Sequence, residues 1–375
     1  NKISLDNVLV GEVWICSGQS NMEWSLRSTT NAKEEVAASD HPSIRLFNVP
    51  GHTTNPLPKE EGKGSWQICS SKTSSGFSAV GYFFGRRLQK ELGVPIGLIG
   101  SNWGGTRIEP WTTLAGFESV PELSKIANQV KNYKADTRVG GGSPSAIYNS
   151  MVHPLTPYAM RGGIWYQGES NASRPSGYSD KLIAMMANWR SRWEAPDLPF
   201  FIIQLTNFME RKPEPGESSW AELRGEQAKA AADPATALIV TIDIGEWNDI
   251  HPVNKREVGH RVALAAENMV YRKNVDFNGP IVKSVKSSGK QVELTFDSPL
   301  DHERFNDTPA SFAIAGADGN YKWAKSTLQG NKVILSHPAI SKPEKVRYAW
   351  ADNPAVSVYD LSGLPAAPFE MNVSP

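Results

Sequence analysis

The feature that most constrains this chain is an alternation running from residue 8 to about residue 270. Short runs that are apolar throughout take turns with stretches whose apolar residues recur every three or four positions. The continuous runs are Val13–Ser17, Ile44–Val49, Ile96–Ser101, Gly163–Tyr166, Phe200–Leu205 and Ala237–Asp243. Between them, Val80, Phe84, Leu88 and Leu92 lead into Gly93 and Pro95, which stop a helix. Leu182, Met186, Trp189 and Trp193 follow the same helical rule with steps of three and four, as do Val258, Val262, Ala265 and Met269. A strand without alternation is buried on both faces, and strands separated by helices pair in parallel with the helices covering them. The spacing therefore predicts a three-layer α/β/α fold around a parallel sheet.

Beyond about Pro280 the pattern changes. Val292, Leu294 and Phe296 alternate with polar residues, as do Val346, Tyr348 and Trp350, and Gly, Pro and Asp fill the gaps. This predicts a small β-rich, sandwich-like module, so the expected division is 1–279 for the α/β part and 280–375 for the tail. A chain of 375 residues has room for both. Three long loops interrupt the α/β part: Thr53–Gly76, Asp136–Ser145 with three consecutive glycines, and Asn207–Ser219 with two prolines. Loops of that length are lids or substrate walls, or else tolerated insertions.

Lys and Arg total 39 and Asp and Glu total 39, so the balance offers no general attraction to nucleic acid or an anionic membrane. No apolar run approaches the ~18 residues that a membrane span needs. Cys16 lies in an apolar run and reads as a buried free thiol, and Cys69 is its only possible partner. The first residue is Asn1 rather than Met, so the expectation is a processed chain, secreted or periplasmic. Metal-hydrolase spacing of the His-Glu-x-x-His type does not occur, and neither does a phosphate-binding loop, since Lys63 and Lys290 precede Gly64 and Gln291. Oligomeric state leaves no mark in the sequence.

Four polar constellations follow four of the apolar runs. Cys16-Ser17-Gly18-Gln19-Ser20-Asn21-Met22 comes after the first, where Gly18 permits a tight turn that would project Ser20. Met22 stands where the G-x-S-x-G elbow would have its second glycine. Ser101-Asn102-Trp103-Gly104-Gly105-Thr106 follows the third run, and its paired glycines let a backbone N–H approach a reacting oxygen. Trp165-Tyr166-Gln167-Gly168-Glu169-Ser170-Asn171 brings amides and a carboxylate: Gln167 or Asn171 could donate to an oxyanion, and Glu169 could orient a histidine or bind a hydroxyl. Asp249-Ile250-His251-Pro252 supplies an imidazole with an aspartate two residues ahead to hold its tautomer. Each falls at the carboxyl end of an expected strand, where open α/β sheets bind ligands. Among the twelve tryptophans, Trp103 and Trp111, with Gln19, Asn21, Arg107, Glu109 and Asn171, are the expected substrate-side residues. Aromatic faces stack on sugars, and an arginine can pair with a sugar carboxylate.

The order Ser, Gly, amide, His resembles the SGNH (GDSL-type) hydrolase superfamily. Gly11–Trp24, Trp103-Gly104-Gly105-Thr106, Gln167-Gly168-Glu169-Ser170 and Asp249-Ile250-His251-Pro252 more specifically resemble the sialate O-acetylesterase family, as do Val346–Trp350 and Gly363-Leu364-Pro365 in the tail. The resemblance implies a flavodoxin-like core and removal of acetyl groups from carbohydrates without a cofactor, with Ser20 as nucleophile and His251 as base. It implies an oxyanion hole from the N–H groups of Ser20 and Gly104 or Gly105, with the Gln167 amide in place of the superfamily's asparagine. The superfamily's usual aspartate lies three residues before the histidine, where this chain has Asn248. The third triad member is therefore Asp249, the preferred candidate, or Glu169. The alternative expectation is a glycan-binding module on an inactive fold of this type; a lipase or thioesterase fits less well, because no apolar lid helix adjoins the motifs.

Overall fold

The computed structural model describes residue 4 and residues 6–305 and 310–374; Asn1 lies outside them. Seven strands form the first sheet: β1 (Glu12–Gly18), β2 (His41–Asn48), β3 (Gln67–Cys69), β4 (Ile96–Asn102), β5 (Gly162–Tyr166), β6 (Phe200–Ile203) and β7 (Thr236–Ile239). Their order is β3-β2-β4-β1-β5-β6-β7. All neighbours are parallel except β2 and β3. The sheet is thus mixed rather than wholly parallel, because three residues inside the loop Thr53–Gly76 add an antiparallel edge.

The helices are α1 (Ser20–Glu23), α2 (Ala32–Ala37), α3 (Ala79–Leu92), α4 (Leu114–Glu118), α5 (Ser124–Lys131), α6 (Tyr178–Arg192), α7 (Ser219–Ala230) and α8 (Lys255–Met269). Side chains alternate across β1, sending Trp14 and Cys16 to one face and Ile15 to the other. The first face packs on α3 and α8 through Val80, Phe84, Leu88, Val258 and Val262. The second packs on α6 and α7 through Leu182, Met186, Trp189 and Leu223. This is the expected three-layer arrangement. Cys16 and Cys69 are buried free thiols.

Two segments expected as strand leave the sheet early. β6 stops at Ile203, and β7 stops at Ile239, beyond which Val240 and Ile242 turn away to join the core of the tail. The tail forms two antiparallel sheets. One is ordered β11 (Lys322–Trp323), β10 (Phe312–Ala315), β14 (Lys345–Tyr348), β15 (Phe369–Asn372). The other is ordered β12 (Lys325–Gln329), β13 (Lys332–Ser336), β9 (Gln291–Phe296), β8 (Val282–Ser288). Val292, Leu294, Val333, Ile314 and Val346 fill the space between them.

The loop Asn207–Ser219 belongs to this junction: Trp323 Nε1 donates to the Pro213 carbonyl at 2.8 Å, and Asn207 Nδ2 donates to Asn353 Oδ1 at 3.1 Å. Buried Arg224 fastens the same seam through the carbonyls of Leu205, Thr206, Ala351 and Asp352. Among the described residues no helix is long and apolar enough to cross a membrane.

β1 is where the chain's path divides, with β4 to one side and β5, β6 and β7 to the other. Such a reversal leaves a crevice beyond the carboxyl ends of the strands. In register, Gly18 stands level with Asn102 of β4 and Tyr166 of β5. The loops bearing Ser20, Gly104 and Gln167 therefore leave the sheet at one rim.

Candidate active site

Gly18 sets the position of the nucleophile turn. Its φ is 136°, and a Cβ there would lie 2.1 Å from the Tyr166 carbonyl oxygen, so only glycine lets the chain pass β5 this closely. Gln19 N–H donates to that same carbonyl at 3.0 Å, and α1 begins at once with Ser20.

The base comes from the far edge of the sheet. Three strand spacings, roughly 14 Å, separate β7 from β1, and the segment after Ile239 recrosses the rim before α8 starts at Lys255. It brings His251 Nε2 to 2.9 Å from Ser20 Oγ. The ring is half-buried, and Trp24 stacks on it with centroids 4.9 Å apart and planes inclined by 14°. Burial, followed by the charge of Lys255, holds the imidazole below its usual pKa of 6.5, while Asp249 pulls the other way. The ring is therefore neutral at neutral pH, as a base must be.

Neither candidate carboxylate reaches Nδ1. Asp249 Oδ1 accepts the backbone N–H of His251 at 2.8 Å but lies 3.9 Å from Nδ1, beyond hydrogen-bond range. Glu169 is turned elsewhere, its Oε1 accepting from Asn21 Nδ2 at 2.5 Å. The same Asn21 nitrogen donates to the Ile250 carbonyl at 3.0 Å, which ties the nucleophile turn to the base loop. Asn21 is fully buried, so it braces the site rather than facing substrate.

Gly104 is the glycine that meets the nucleophile: a Cβ on it would sit 3.3 Å from Ser20 Cβ. Its N–H donates to Glu23 Oε2 at 2.6 Å, and Glu23 Oε1 is 2.7 Å from His52 Nε2. Gly105, with φ of 74°, is open to solvent.

The structure corrects several expectations. Gln167 is fully buried, and its amide nitrogen is spent on Gln19 Oε1 at 3.1 Å, the Thr106 carbonyl at 3.1 Å and Asn171 Oδ1 at 2.8 Å. Its oxygen accepts from Tyr178 Oη at 2.7 Å, so the group locks three loops together and has no proton to offer an oxyanion. Gln19 and Asn171 belong to this same buried lattice. Trp111 is fully buried among Trp165 and its neighbours rather than lining substrate, with Nε1 bonded to Thr106 Oγ1. Trp103 sits at the rim, but one face is covered by the His52 ring at 4.8 Å and 8°, and Gly141 of the Asp136–Ser145 loop abuts its edge. Glu109 pairs with Lys181 at 2.8 Å and not with Arg107, which stays exposed and without an ion pair among the described residues.

Three residues at the site, Trp24, Glu23 and Lys255, escaped the sequence reading. Trp24 and Glu23 fall four and three residues after Ser20, inside the motif already singled out, where a one-turn helix returns them to the nucleophile's side. No cluster of His, Cys, Asp and Glu suited to a metal ion occurs among the described residues.

Comparisons with known proteins place the chain in a family. Residues 10–268 match the family described as carbohydrate esterase, sialic acid-specific acetylesterase. The chain belongs to that family. It is an esterase, a carboxylic ester hydrolase. Sialate O-acetylesterase from Rattus norvegicus is 28% identical, over 99% of this chain and 79% of its own length. The Homo sapiens sialate O-acetylesterase is 27% identical, over 98% of this chain and 76% of its own. Among solved structures, a carbohydrate acetylesterase from Xanthomonas citri superposes with a TM-score of 0.86 and 36% identity, covering 96% of this chain and 80% of that one. All three relatives extend beyond the stretch they share with this chain.

Proposed function

We propose that this esterase removes O-acetyl groups from carbohydrates, sialic acid or other acetylated glycans, through an acetyl-serine intermediate on Ser20. The observation that carries the reading is the 2.9 Å contact between Ser20 Oγ and His251 Nε2 at the crevice where the sheet's strand order reverses. The matched family and the acetylesterase relatives support the choice of ester.

The reaction runs in two halves. Ser20 Oγ attacks the acetyl carbonyl as its proton passes to His251 Nε2. The tetrahedral oxyanion rests on the N–H of Ser20 at the start of α1 and on the Gly104–Gly105 turn, whose Gly104 N–H must first release the Glu23 carboxylate that it binds. His251 returns the proton to the departing sugar oxygen, leaving acetyl-Ser20. Water then attacks that ester, giving its proton to His251 Nε2, which passes it back to Ser20 Oγ as acetate leaves. Asp249 favours the transient imidazolium by charge across 3.9 Å, and the Trp24 face keeps the ring in plane. Arg107, exposed and without an ion pair among the described residues two positions beyond Gly105, is a cation available to the carboxylate of an acidic sugar.

The test is acetate release from a panel of neutral and sialic-acid-bearing acetylated glycans, wild type against Ser20→Ala. The variant should lose about 10⁴-fold or more in kcat, as other serine triads do. Near-wild-type release by the variant would refute the reading.

A further inference from the structure

Behind the Ser20–His251 pair lies a charge that the acetyl-transfer steps do not use. Lys255, the first residue of α8, is completely buried and forms no ion pair with any acid among the described residues. An ammonium group removed from water costs several kcal/mol unless its surroundings compensate. Here Nζ donates to Asn21 Oδ1, and it lies 6.0 Å from the centre of the Trp24 ring and 5.4 Å from that of Tyr166. Both rings present an electron-rich face to the cation.

The partners of this lysine are the residues that hold the reacting pair together. Asn21 follows the nucleophile directly, and its other end bonds Glu169 Oε1 and the carbonyl of Ile250, the residue before His251. Trp24 stacks on the His251 ring. The second oxygen of Glu169, Oε2, is buried without a hydrogen-bond partner among the described residues. An amide joined to a cation at its oxygen and to a carboxylate at its nitrogen is polarised in both directions, which strengthens each bond.

The geometry points to Lys255 as a positioning residue for the reaction: it fastens the Asn21 amide that bridges the nucleophile turn to the base loop and underlies the Trp24 ring that carries His251. The inference rests on the acetyl-serine reading above and assigns this residue a role in it.

The groups facing Lys255 give the proposal a pH signature. Glu169 from the turn after β5, and Asp249 and Glu246 from the base loop, favour its charge, whereas burial opposes it more strongly and pushes the lysine down to about 7. Burial raises Glu169, an effect countered by the Asn21 bond and by Lys255. As pH falls through the range in which His251 would gain a proton, Lys255 is already charged, and the two cations oppose each other. Removing the lysine's charge therefore makes His251 easier to protonate.

The experiment is the pH dependence of kcat/KM on an aryl acetate for wild type, Lys255→Met and Lys255→Arg, each checked for folding by its thermal melt. Lys255→Met should lose about 10- to 100-fold on the plateau, the effect of one hydrogen bond to a charged group. Its acid limb should move to higher pH, while Lys255→Arg keeps the limb at or below the wild-type position. A folded Lys255→Met whose acid limb has not moved overturns the proposal, even if its plateau is lower. Should Lys255→Met fail to fold, the lysine side chains of the wild-type enzyme are titrated by NMR: one must titrate near neutrality, and its absence overturns the proposal. Failure of the acetyl-serine reading looks different, since Ser20→Ala would then stay active whatever the limb does.

Discussion

Asp249→Asn is the substitution whose outcome follows most directly from the geometry. In a serine hydrolase whose aspartate bonds the imidazole, removing that charge costs about 10⁴-fold in kcat, largely because the tautomer is lost. Here the carboxylate oxygen is 3.9 Å from Nδ1, and the side chain is 46% exposed. Two unit charges about 4 Å apart attract by ~1 kcal/mol in water and ~4 kcal/mol in a typical protein-surface medium. With nearly half the group in solvent, the lower part of that range applies, about 1–2 kcal/mol, or roughly a 5- to 30-fold loss in kcat. Asparagine retains an oxygen for the His251 backbone N–H, which Asp249 Oδ1 accepts at 2.8 Å, so the loop should keep its shape. Asp249→Ala removes that acceptor as well and should cost about 1 kcal/mol more in thermal stability. The assay is steady-state hydrolysis of an aryl acetate with melting curves in parallel. A loss of about 10³-fold or more in Asp249→Asn would refute the reasoning, since it would mean that the carboxylate bonds Nδ1 in the reacting enzyme. A loss below twofold would refute it from the other side.

Because burial and Lys255 hold His251 below 6.5 and the neutral ring is the base, the acid limb of kcat/KM should lie below 6.5; an acid limb centred above 7 would contradict this. Gln167→Ala should act mainly on stability, by about 2 kcal/mol or more, because it removes four side-chain hydrogen bonds from a buried lattice. A large fall in kcat with an unchanged melting temperature would instead restore Gln167 as an oxyanion donor. Gly18→Ala places a Cβ 2.1 Å from the Tyr166 carbonyl oxygen, so the nucleophile turn must move or the chain misfold; a soluble variant with wild-type kcat would show that the turn tolerates displacement.

The layered fold was legible because burial on both sheet faces writes itself as unbroken apolar runs. Val13–Ser17 and Ile96–Ser101 emerge in β1 and β4, and the three- and four-residue spacings emerge in α3, α6 and α8. β3 was not legible: three residues at a sheet edge carry too little pattern to stand out inside a loop. Val240 and Ile242 read as strand because apolar character records burial without recording which core buries the residue; theirs is the core of the tail. At the site, residue type marked the reacting groups but not their surroundings. Ser20 and His251 announce themselves by chemistry, whereas Gln167, Asn171 and Trp111 look equally apt for substrate until their partners are seen. Lys255 is the converse case, a charged residue at a helix start whose burial no local pattern signals.

The account stands on covalent chemistry at one hydroxyl. Rapid quenching of the enzyme during turnover of an aryl acetate, followed by mass analysis of its peptides, reads that chemistry directly. The account predicts a burst of released phenol equivalent to the enzyme present, with one acetyl group on the peptide containing Ser20 and none in Ser20→Ala. Turnover without any acetylated peptide, or acetyl carried at another residue while Ser20→Ala remains active, would contradict it.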